Sequence, residues 1–98
     1  MKVTVAHKLS PLEAKGRISQ LVVALKKQYA GKITDVSESW NGDRNNFSFK
    51  MQGMKIAGNI LVTSKDVTVN GKLPFMAMPF KSMIESTIKE KASELLRS

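Results

Sequence analysis

Phe47-Ser48-Phe49-Lys50-Met51-Gln52-Gly53-Met54-Lys55-Ile56-Ala57-Gly58-Asn59-Ile60-Leu61-Val62 is the stretch from which the fold is read. Phe47, Phe49 and Met51 alternate with Ser48, Lys50 and Gln52, the period of two that an extended strand with one apolar face requires. Gly53 begins a turn. The strand after it carries Ile56, Gly58, Ile60 and Val62 on one side and Ala57, Asn59, Leu61 and Thr63 on the other, and two fairly apolar faces suit a central strand. Upstream, Val36, Glu38 and Trp40 share a face, and Asn41-Gly42-Asp43-Arg44-Asn45-Asn46 supplies residues that tolerate positive φ in a turn. Downstream, Ser64-Lys65-Asp66 turns the chain into Val67, Val69, Gly71 and Leu73, which alternate with Thr68, Asn70 and Lys72 up to Pro74. Four strands joined by short turns make an antiparallel meander.

The flanks complete the pattern. Val3, Val5, His7 and Leu9 alternate with Lys2, Thr4 and Lys8, giving a first strand. Ser10-Pro11-Leu12-Glu13 combines a capping hydroxyl, a proline at the first helical position and a glutamate placed for a capping box. One helix is expected from there to Tyr29, with Ala14, Ile18, Leu21, Val22, Leu25 and Tyr29 as its apolar stripe and Gly31 as its stop. In the last segment Phe80, Ile84, Thr87, Ile88, Ala92, Leu95 and Leu96 form a second stripe. Pro79 stands either in the first turn of that helix or at a break after a short turn over Phe75 to Met78. The expectation is a single α+β domain over residues 1–98 in the order β-α-β-β-β-β-α. Its five strands would form an antiparallel sheet of spatial order two-three-four-five-one, with two helices on one face.

Composition narrows the function. The 98 residues hold no cysteine and one histidine, which removes thiolate catalysis and cysteine zinc sites and leaves no compact set of strong metal ligands, so neither metal nor cofactor is expected. A cysteine-free chain suits the cytoplasm. No apolar run reaches the roughly 18 residues of a membrane span, and Met1 to Ser10 lacks the apolar core of a secretory signal. Sixteen Lys and Arg against eight Asp and Glu give a net charge of +8, spread as +5 over the first fifty residues and +3 over the rest. Such a balance favours acidic partners or serves solubility.

Few residues invite chemistry. His7 shares its side of the first strand with Val3, Val5 and Leu9, a structural position more than a catalytic one. Asp35, Glu38, Asp43 and Asp66 are scattered. Glu38 alone has the parity of the apolar side, where it would reach solvent or a lysine at the sheet edge. Gly53 and Gly58 have the spacing of a phosphate loop but lack its Lys and Ser or Thr, so Gly58 marks a bulge, a bend or a close approach. No nucleophile, base and orienting group stand together, and an enzyme is not expected. Phe75, Met76, Met78, Phe80 and Met83 put five large apolar residues within nine positions, more than one helix face buries. They either plug the open end of the core or form an adaptable contact surface.

His7 with Leu9, Glu13-Ala14-Lys15 with Arg17-Ile18, Trp40-Asn41-Gly42-Asp43, Phe47-Ser48-Phe49, Gly58 and Leu73-Pro74 together resemble the polyhydroxyalkanoic acid system proteins, over about Val5 to Leu96. The resemblance implies a link to bacterial polyhydroxyalkanoate storage, as a granule-associated or regulatory protein, and no defined reaction. Trp40, Gly42 and Asp43 fit that family's turn, and Leu73-Pro74 its entry to the last helix. The element order is also similar to a shortened helix-grip, a fold that encloses apolar ligands. The expected function is a binding or accessory protein that touches a granule, a lipid-like ligand, a protein partner or a second copy through Phe75 to Met83. The alternative is a nucleic-acid-binding regulator using Lys15, Lys26, Lys27 and Lys50, which salt would weaken steeply.

Overall fold

The computed structural model describes residues 1–97 and is an α+β fold built on one five-stranded antiparallel sheet. In chain order the elements are β1 (Lys2–Ala6), α1 (Pro11–Ile18), α2 (Leu21–Gln28), β2 (Ile33–Asn41), β3 (Arg44–Met51), β4 (Met54–Val62), β5 (Asp66–Lys72), a 3-10 segment (Phe75–Phe80) and α3 (Lys81–Leu95). The sheet order is β1-β5-β4-β3-β2, as the strand pattern predicts. Phe47 stands opposite Gly58, Phe49 opposite Ile56, Ile60 opposite Val69 and Val3 opposite Val69, so the apolar parity of every strand falls on one face. The helices cover that face, and Ala14, Ile18, Leu21, Val22, Leu25, Ile88, Ala92 and Leu96 complete its core. The other face is uncovered and polar, as antiparallel sheets permit.

The hairpin geometry is tighter than the run of turn residues suggests. Asn41 pairs with Arg44, so only Gly42 and Asp43 form the turn, while Asn45 and Asn46 belong to β3. Gly42 takes φ +62° at the first turn position, the glycine-first form that matches the twist of the flanking strands. The next turn is Gln52-Gly53, with Gln52 itself at φ +52°. In β2 the register shifts between Thr34 and Ser37, and Asp35 adopts φ +53°. This bulge carries the extra residue that lets both Ile33 and Val36 face the core although an odd number of positions separates them.

The expected first helix is two. Ser19 Oγ donates to Gly16 O at 2.6 Å, and the Gln20 N–H donates to Arg17 O at 3.1 Å, an i to i−3 bond that tightens the backbone before α2 begins. The stripe from Ala14 to Leu25 nevertheless stays buried throughout, since Ser19 and Gln20 keep right-handed helical dihedrals across the break. Half of the capping box forms. Ser10 Oγ accepts the Glu13 N–H at 3.1 Å, while the Glu13 carboxylate turns to Arg17 at 2.9 Å instead of back to the cap. Ser10→Ala is expected to lower stability by about 1 kcal/mol in urea denaturation; an unchanged midpoint would show that α1 is held by packing alone. Pro79 lies inside the 3-10 segment and α3 starts at Lys81, which selects the break over the first-turn placement. Phe80 therefore precedes the helix and is half exposed instead of joining the buried stripe.

Candidate functional site

The β5 strand leads directly into the site. Lys72 is its last residue and pairs with Ala57, so the chain leaves the sheet beside the start of β4. Leu73-Pro74 turns it into the 3-10 segment, whose one buried side chain is Ala77. With a small residue as the inward anchor, the large ones point out. Phe75 is 89% exposed, Met76 76%, Met83 62%, and Met78 and Phe80 50% each. The structure thus brings the five predicted contact residues to one end of the molecule and leaves them in solvent; they do not plug the core.

The cluster continues into an apolar groove. Met83 and Ile84 of α3, Leu25 and Tyr29 near the end of α2, and Ile33, Phe49, Met51 and Ile56 of the sheet are among the residues lining a cavity of about 90 Å³. A further void of about 30 Å³ lies deeper, beneath Phe47 and Ile60. Both are far below the roughly 300 Å³ at which small-molecule pockets begin. The ligand-enclosing hollow that a helix-grip likeness implies is therefore filled here by side chains.

The family turn is a structural joint in this arrangement. Trp40 is half-buried opposite Asn45 on the helix-facing side, with Lys15 Nζ 5.2 Å from its ring centroid, a cation–π contact that ties α1 to β2. Gly42 makes the turn, and Asp43 O accepts the Val62 N–H at 2.9 Å, fixing the hairpin tip to β4. Glu38 has the core-side parity and reaches solvent, as expected, and in place of a lysine its carboxylate accepts Asn45 Nδ2 at 2.7 Å. Asn45 is the polar residue that pattern reading missed. It is fully buried, and among the described residues its Oδ1 has no hydrogen-bond partner. Its place beside the turn-forming asparagines hid it.

His7 is buried just past β1, and both of its ring nitrogens bond the backbone. Nδ1 accepts the Leu9 N–H at 3.0 Å, so Nε2 carries the proton and donates to Thr63 O at 2.9 Å. The imidazole joins the exit of β1 to the end of β4. His7→Phe keeps an aromatic ring, slightly larger than the imidazole, but strands both backbone groups, and is expected to cost about 1–3 kcal/mol in denaturation midpoint analysis. A neutral result would make the contacts dispensable.

The basic residues named for nucleic acid do not form one surface. Lys15, Lys26 and Lys27 lie on the helical layer, whereas Lys50 points from the uncovered sheet face and pairs with Asp35 at 3.6 Å. Among the described residues no helix is long and apolar enough to cross a membrane, which leaves strands unaddressed. No curated protein and no solved structure matches the chain. The family model described as "Putative polyhydroxyalkanoic acid system protein" matches residues 1–96, the span that holds the capped helix, the Trp40 turn and the exposed apolar end, and the chain belongs to that family.

Proposed function

We propose that this protein is a non-enzymatic accessory protein of polyhydroxyalkanoate storage in the cytoplasm, docking on the apolar surface of the granule through Phe75, Met76, Met78, Phe80 and Met83. The observation that carries this reading is the exposure of those five side chains, four on the segment anchored by Ala77 and Met83 in the first turn of α3. Water-exposed phenylalanine and methionine in such density make an apolar patch, and patches of this kind mark contact sites. A polymer surface has no fixed shape to complement. Unbranched methionine side chains, with three rotatable bonds, suit it better than a rigid pocket would. The small groove behind the patch supports surface contact over enclosure of a ligand.

Sedimentation of the purified protein with polyhydroxyalkanoate particles tests this, in low and high salt, against an unrelated basic protein of similar size. Apolar contact predicts co-sedimentation that persists at high salt while the control is released. Release of both together would assign the association to net charge and overturn the reading.

A further inference from the structure

We propose that the apolar end is built for a lipid surface bearing anionic headgroups, with Lys50, Lys55, Lys72 and Lys81 engaging the headgroups around the inserted Phe75–Met83 segment. This rests on the apolar-docking reading and adds the partner's charge. Lys50 and Lys55 stand directly opposite each other in the β3–β4 pair, next to the Met51–Met54 pair that closes the hairpin. Met51 and Ile56 line the groove with Met83, so the two lysines project from the same end of the sheet, on its uncovered face. Lys72 ends β5 three residues before Phe75, and Lys81 follows Phe80. All four are exposed.

Their arrangement is not one that stability would select. Like charges directly across a strand pair repel, and the nearby carboxylate, Asp35, lies 3.6 Å from Lys50 and is itself largely exposed. Among the described residues Lys55, Lys72 and Lys81 make no ion pair. A rim of exposed cations, three of the four without an ion pair among the described residues, around an exposed apolar patch is the pairing that interfacial binding uses: the apolar part enters the acyl boundary and the cations meet anionic headgroups. An uncharged polyester would use the patch alone. Charge complementarity therefore selects a lipid coat over bare polymer as the preferred surface.

The test compares vesicles of phosphatidylcholine with vesicles in which a third of the lipid is phosphatidylglycerol, alongside bare polymer particles. The intact protein is expected to bind the anionic vesicles at least about tenfold more tightly than the neutral ones. The variant Lys50→Gln/Lys55→Gln/Lys72→Gln/Lys81→Gln is expected to lose that preference while still sedimenting with bare particles. Lys8→Gln/Lys65→Gln, at the opposite end of the strands, is expected to keep it. Equal binding of the intact protein to both vesicles, or loss of preference in the Lys8/Lys65 variant equal to that in the rim variant, overturns the inference. Should the rim variant fail to fold, the intact protein's binding to the two vesicles still decides the matter. Failure of the intact protein to sediment with bare particles would instead count against the apolar-docking reading itself.

Discussion

Gly58→Ala is expected to destabilise the protein by about 2–3 kcal/mol, and Gly71→Ala, on the residue paired with it, by no more than about 1 kcal/mol. A Cβ at Gly58 would run into the Asn70 carbonyl oxygen, and would lie 2.9 Å from both Gly71 Cα and Phe47 Cζ. Two of those neighbours are backbone of the adjacent strand and the third is the ring of a buried phenylalanine, so none can yield without disturbing the centre of the sheet. At Gly71 the added carbon would meet Met1 Cε at 2.6 Å, the far end of a flexible side chain, with Ala57 O at 3.9 Å. Methionine can swing away. A small domain has total stability of only about 5–15 kcal/mol, so the two urea midpoints should separate clearly. Equal midpoints would mean that β4 and β5 adjust their spacing freely, and that Phe47 does not depend on the gap above Gly58.

Phe75→Ser/Met76→Ser is expected to weaken association with polyhydroxyalkanoate particles by at least about tenfold, since each large apolar side chain contributes about 1.5–3 kcal/mol on full burial before ordering costs are subtracted. The same double variant should leave the denaturation midpoint unchanged, because 89% and 76% of the two residues already face solvent. That separation of binding from stability is the distinctive part. A buried pair would lose both together. Unaltered particle binding by the folded variant would place the contact elsewhere.

Strand parity carried most of the fold. The alternations around Phe47, Ile60, Val67 and Val3 assign the core face of four strands, and the helix between the first strand and the meander puts β1 at the edge beside β5. Departures came where one residue's local bond outweighs the pattern. The Asp35 bulge is visible in sequence only as a broken alternation between Ile33 and Val36. The break between α1 and α2 coincides with a Ser19 hydroxyl bonded to Gly16 O and a Gln20 N–H bonded to Arg17 O, contacts that helical periodicity does not register. Asn45 resembles its turn-forming neighbours in composition, yet the two-residue turn at Gly42-Asp43 pulls it into the strand and buries it.

The apolar end was legible for a different reason. Five large residues in nine positions exceed what one helix face can cover, so composition alone raised the question of exposure. Whether they seal the core depended on Ala77, whose small side chain turns inward and leaves Phe75, Met76 and Met78 outside. The filled state of the groove was beyond pattern reading, because it depends on side chains from α2, α3 and three strands meeting at once.

Methionine oxidation footprinting on particle-bound protein tests the docking surface most directly, since exposed thioethers react and covered ones are spared. Met76, Met78 and Met83 are exposed in the free protein and are predicted to oxidise readily there and slowly on the particle. Unchanged oxidation of these three residues in protein shown to be bound would contradict the account and move the contact to another face.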